Sequence, residues 1–115
     1  MSDVELAKKY EQTIEELRFI SLSLQQYKAR LLEIEKALKE LEGIEDDYVY
    51  KFVGRLLVRV KKADVVEELK NEKELVEIKV KEYQRKEKLL QERLKSLERQ
   101  LRAKLASKGA ISGAG

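Results

Sequence analysis

At 115 residues the chain has room for one domain at most, and its 41% charged content without any Pro or Trp is the profile of long helices rather than of a compact globule. It contains no Cys and no His, which excludes zinc–thiolate sites, disulfides, cysteine nucleophiles and imidazole acid–base chemistry. The net charge of +3 is unevenly spread: residues 1–47 hold 12 acidic and 7 basic side chains, residues 48–78 hold 6 and 7, and residues 79–115 hold 4 and 11.

No run approaches the ~20 apolar residues of a membrane span. The opening MSDVELAKKYEQ has no signal-peptide core. A cytoplasmic protein without membrane contact is expected. The basic C-terminal arm suits an acidic protein surface or a nucleic-acid backbone.

The spacing predicts a first helix over 3–42. Its apolar seam is Ala7, Tyr10, Ile14, Leu17, Ile20, Leu24, Tyr27, Leu31, Ile34, Leu38 and Leu41. Steps of three and four keep one stripe facing a partner helix. Two consecutive steps of three, at Leu17 and Ile20, predict a local change of supercoil. Gly43 supplies a stop, and Gly43–Asp47 is a polar connector.

Residues 48–60, YVYKFVGRLLVRV, alternate like a β-hairpin. Gly54-Arg55 suits a two-residue turn with Gly at its first central position. The pairs that follow are Val53:Leu56, Phe52:Leu57, Lys51:Val58, Tyr50:Arg59 and Val49:Val60. One face then carries Val49, Val53, Leu56, Val58 and Val60 with Lys51. The other carries Tyr48, Tyr50, Phe52 and Leu57 with Arg59. A lone two-stranded ribbon is marginal in water, and this one has two apolar faces and two open edges. Each buried large apolar side chain contributes roughly 1.5–3 kcal/mol. The hairpin is therefore expected to join the hairpins of other subunits in a larger sheet or barrel. The plainer alternative is a local cap over the helix pair.

The second helix is expected over 62–107. Its seam is Val66, Leu69, Lys73, Val76, Val80, Tyr83, Glu87, Leu90, Leu94, Leu97 and Leu101, in alternating steps of three and four. Lys73 and Glu87 are polar members, which cost stability and help to fix register. Residues 108–115 read as a flexible Gly-rich tail, with Ile111 inert within it. The fold class is mainly α: a long antiparallel two-helix coiled coil with a single β-hairpin between the helices. At ~1.5 Å per residue each helix spans about 60–65 Å, which places Val4–Ala7 beside Leu101–Leu105 at one tip and the hairpin at the other.

The segment VYKFVGRLLVRVKKADVVEELKNEKE, Val49 to Glu74, resembles the β-class subunits of prefoldin. Members carry a VYK-x-VG-x-LLV-x-V hairpin followed by VIEELK-like helix text. Here Val49-Tyr50-Lys51, Val53-Gly54, Leu56-Leu57-Val58 and Val60 occupy those places, and Val65-Val66-Glu67-Glu68-Leu69-Lys70 follows. The order of helix, single hairpin and helix is similar over the whole chain. Family members often have Gly where Arg55 stands and an acidic cap where Lys61 stands. Asp64, with Glu67 three residues on, offers an alternative cap that would start the helix later.

The resemblance implies a hexamer of two α-class and four β-class subunits, whose hairpins form a β-barrel platform. It implies an ATP-independent holdase that captures unfolded client polypeptides at the coiled-coil tips and delivers them to a group II chaperonin, without cofactor or metal. The tip residues would be Val4, Leu6, Ala7, Leu101, Leu105 and Ala106. The oligomerisation residues would be Val49, Tyr50, Phe52, Val53, Leu56, Leu57, Val58 and Val60. No catalytic constellation stands out, so no enzyme is expected. All of these could simply close the coiled coil; closure is the expected role of Ala7 and Leu101, and client contact that of Leu6 and Leu105. The alternative function is a coiled-coil nucleic-acid-binding arm that uses the basic C-terminal half.

Overall fold

A computed structural model describes residues 1–114, with side chains through residue 108; Gly115 lies outside the described residues. Helix α1 runs Asp3–Glu42, strand β1 Tyr48–Val53, strand β2 Leu56–Lys61 and helix α2 Lys62–Ala114. Two compact units share these elements: residues 1–24 with 82–115, and residues 25–81.

Helix α1 starts where the side chain of Ser2 can cap it. The Glu5 amide donates to Ser2 Oγ at 3.2 Å and the Leu6 amide to the Ser2 carbonyl at 3.0 Å. Ser2 and Glu5 have the spacing of a capping box, and Asp3 and Glu5 favour the positive end of the helix dipole. The helix stops as expected at Gly43. The last turn tightens, with Gly43 and Ile44 amides donating to the carbonyls of Glu40 and Leu41 at 3.1 and 3.2 Å.

In the first unit the helices run antiparallel. The Tyr10 hydroxyl donates to Glu98 at 3.3 Å and Ser21 Oγ to Glu87 at 2.7 Å, so residues ascending α1 meet residues descending α2. Leu6, Thr13, Leu24, Leu90 and Leu97 are buried between them. The N-terminal part of the seam differs from the predicted one. The buried stripe passes through Leu6 and Thr13, while Ala7 is exposed and Ile14 half-buried. The stripe Leu6, Tyr10, Thr13, Leu17, Ile20, Leu24 alternates fours and threes without interruption. The expected slip follows from two substituted positions, Ala7 for Leu6 and Ile14 for Thr13. Thr13 tolerates burial because its hydroxyl donates to the Lys9 carbonyl at 2.7 Å, one turn back, leaving no orphaned polar atom.

In the second unit Ile34 and Val76 form the buried centre, flanked by half-buried Tyr27, Leu31, Leu38, Leu41, Val66, Leu69 and Val80. Arg30 on α1 bonds Glu72 on α2. The seam lysine, Lys73, is half-buried and lies 3.9 Å from Glu77 one turn on. Glu87, the polar seam member of the first unit, is satisfied by Ser21.

The hairpin register is the predicted one, with Tyr48↔Lys61 added at the open end. Gly54 has φ of +60°, and no other described residue has positive φ, so the left-handed position falls on the residue that has no Cβ. Helix α2 begins directly at Lys62, whose amide donates to the Asp47 carbonyl at 2.8 Å and whose ammonium donates to the Ile44 carbonyl at 2.6 Å. Asp64 therefore sits inside the first turn and does not cap a later start.

Helix α2 also continues past the predicted end at Ser107. Extending an established helix adds one backbone bond per residue, without the cost of a new nucleus. Lys104 and Lys108, in consecutive turns, also bond Asp3. The tail expected at 108–115 is thus helical in its backbone through Ala114. The side chain of Ile111, and Gly115 altogether, lie outside the described residues.

Candidate functional site

The strands of the hairpin bring the predicted assembly residues together on two faces. Pairing places Val53 beside Leu56, Lys51 beside Val58 and Val49 beside Val60 on one face, and Phe52 beside Leu57 and Tyr50 beside Arg59 on the other. Only Val49 and Val60, at the root, are half-buried. Tyr50, Val53, Leu56 and Val58 are exposed, and Phe52 and Leu57 are 76% and 56% exposed. Neither face of the ribbon is covered by its own helices beyond the root.

Polar contacts hold this root in place. Tyr48 donates its amide to Asp46 Oδ1 at 3.0 Å, an Asx turn that leads the connector into β1. The Arg59 guanidinium lies 3.9 Å from the centre of the Tyr48 ring. Lys51, the one charge on its face, reaches Glu68 of α2 at 2.8 Å. Beside β1, an open groove of about 530 Å³ is lined by Leu41, Ile44, Tyr48, Val49, Val65 and Leu69 among others. Tyr48 belongs to the second apolar face expected for the hairpin, and Ile44 is the lining residue that the sequence reading leaves out. Its signal is present in the sequence as the one apolar side chain within the connector Gly43–Asp47.

In the first unit the predicted tip residues divide. Val4 is 75% and Leu105 67% exposed, and Ala7 and Ala106 are exposed. Leu101 is half-buried, in a cleft it shares with Tyr10, Glu98 and Leu105. Leu6 is 1% exposed and closes the helix pair, so it reaches solvent only when the first turn of α1 opens. An ionic contact over these residues was missed by sequence reasoning. Lys104 Nζ lies 2.8 Å from Asp3 Oδ1, Lys108 bonds Asp3 Oδ2, and Lys104 also donates to the Met1 carbonyl at 2.6 Å. The hydrogen bond from Lys104, with that from Lys108, holds the Asp3 carboxyl down at about 2.

Among the described residues no group of three carboxylates converges to hold a metal ion, and no helix is long and apolar enough to cross a membrane.

The decisive comparison is with a family described as prefoldin subunit, whose profile matches residues 4–108. The chain belongs to the prefoldin subunit family. Prefoldin subunit beta of Pyrobaculum calidifontis is 38% identical over 103 residues, 89% of this chain and 82% of that protein. Prefoldin subunit beta of Archaeoglobus fulgidus is 38% identical over 97 residues, 84% of each chain. The crystal structure of the prefoldin beta subunit from Thermococcus strain KS-1 superposes with a TM-score of 0.76 at 35% identity, covering 88% of this chain and 90% of that one. Prefoldin subunits are chaperone subunits, and the helix–hairpin–helix order is that of the β subunit.

Proposed function

We propose that this chain is a β-class subunit of an ATP-independent holdase. It assembles through its hairpin with an α-class subunit and further β-class copies, as two α and four β. It captures unfolded polypeptides with the apolar groups at its chain ends and delivers them to a group II chaperonin.

The observation that carries this reading is the exposure of apolar side chains on both faces of the hairpin. Such a ribbon is stable when other strands cover it. A holdase needs no bond-making residues. It needs apolar surface surrounded by charge, and exposed Val4 and Leu105 beside Asp3, Lys104 and Lys108 supply it. The nucleic-acid reading draws less support, because Lys104 and Lys108 are turned onto Asp3 and Lys86 onto Glu82.

Native mass measurement with and without an α-class partner tests the assembly. Light scattering during dilution of a denatured client into the assembled complex tests capture. Suppressed aggregation is expected. Unchanged scattering, together with a retarded RNA band in a low-salt gel shift, would transfer the function to the basic arm.

A further inference from the structure

We propose that Asp3 is a built-in occupant of a carboxylate site formed by Lys104 and Lys108, and that an unfolded segment carrying an acidic side chain beside an apolar one displaces it and opens the turn that carries Leu6. This deepens the reading of the chain ends as a capture surface and rests on it.

The geometry is that of a bound ligand. Two lysines one turn apart on α2 address the two oxygens of a single carboxylate. Lys104 also holds the Met1 carbonyl, so one ammonium group ties down two points at the start of α1. Leu105, next in sequence to Lys104, is 67% exposed, and Val4, next to Asp3, is 75% exposed. A segment approaching this end meets two cations and exposed aliphatic groups within little more than one helical turn.

The tie is exchangeable. Its carboxylate is 45% exposed, and an ion pair in such a setting is only weakly held against a competing anion. Leu6, three residues on from Asp3 in the helix that Ser2 caps, is 1% accessible. Terminal turns fray, and without its ionic anchor this one opens more often against the burial of Leu6 that still holds it. A client carboxylate that takes over Lys104 and Lys108 therefore gains Leu6 as an additional apolar contact. The site would prefer unfolded segments of mixed acidic and apolar character over purely apolar ones.

The test uses the complex assembled with an α-class partner, carrying the natural chain, D3N, or the double variant K104Q/K108Q. Two labelled peptides serve as probes, one alternating Leu and Asp and the other Leu and Asn, in the same Gly-Ser background. The Asp peptide should bind the natural complex more tightly than the Asn peptide. D3N should widen that preference, and K104Q/K108Q should remove it. Amide exchange over residues 4–10 should quicken about two- to five-fold in D3N without peptide, the range set by an exposed ion pair. An absent preference, a preference that survives K104Q/K108Q, or unchanged exchange in D3N would overturn the proposal. If the natural complex still suppresses aggregation of an intact client in that case, only the displacement idea falls; if it does not, the capture reading falls as well.

Discussion

Arg30 on α1 holds Glu72 on α2 through a fork, with Nε 2.8 Å from Oε2 and Nη2 2.7 Å from Oε1. Its Nη1 also bonds Glu33 at 3.1 Å. The Arg30 hydrogen bond pulls the Glu72 carboxyl below its usual range, and Glu72 raises Arg30. R30K keeps the charge and loses the planar fork. It should lower stability by about 0.5–1 kcal/mol, the upper part of the range for exposed pairs, in denaturant titrations at fixed protein concentration. Because the folded-state value of Glu72 is depressed, its contribution is whole above the ordinary carboxylate value of about 4.3 and is lost as pH falls through the lower folded value. The acid limb of stability should therefore flatten in E72Q.

Phe52 and Leu57 face each other across the strands and are open to water on the same side. If other hairpins cover them, F52S/L57S removes roughly 3–6 kcal/mol of burial per subunit, at about 1.5–3 kcal/mol for each side chain. The variant should remain largely helical by circular dichroism while its native mass falls to that of small species. Retention of the full assembly would show that this face is not part of the interface.

Gly54 has open space where a Cβ would stand, so the cost of G54A is conformational and not steric with neighbours. A left-handed alanine costs roughly 1–2 kcal/mol. The variant should disassemble at a lower temperature than the natural chain. D-alanine at the same position prefers positive φ and should match or exceed the natural chain, by up to about 1 kcal/mol. Equal losses from both would place the effect in packing.

The seam through Leu6 and Thr13 makes a further prediction. Leu6→Ala should cost about 2 kcal/mol or more, as a buried truncation does. Ala7→Ser, on the exposed neighbour, should change stability by less than about 0.5 kcal/mol. Thr13→Val should be close to neutral, since the Lys9 carbonyl still has its helical partner and no buried donor is orphaned. The reverse order for Leu6 and Ala7 would restore the interrupted seam that the apolar spacing predicts.

These residues mark where sequence reasoning succeeded and where it stopped. The seam of α2 was readable because Val76, Leu90 and Leu97 repeat at helical spacing and side-chain direction follows from the backbone period. The hairpin register was readable for a similar reason: one glycine able to take φ of +60° locates the turn, and strand alternation then dictates every pair. The N-terminal seam was misjudged because Thr13 is polar by composition and apolar in effect once its hydroxyl turns back onto Lys9.

Local chain geometry thus sufficed for the element order, the strand pairing and most of the buried stripe, since each depends on residues close together along the chain. The tie between Asp3 and Lys104, the fork between Arg30 and Glu72, and the closure of Leu6 depend on how far one helix is shifted along the other and on which way it is rotated. Those quantities are settled by side-chain packing between segments far apart in the chain. They separate a leucine at the chain end that is open to solvent, Leu105, from one that is hidden, Leu6.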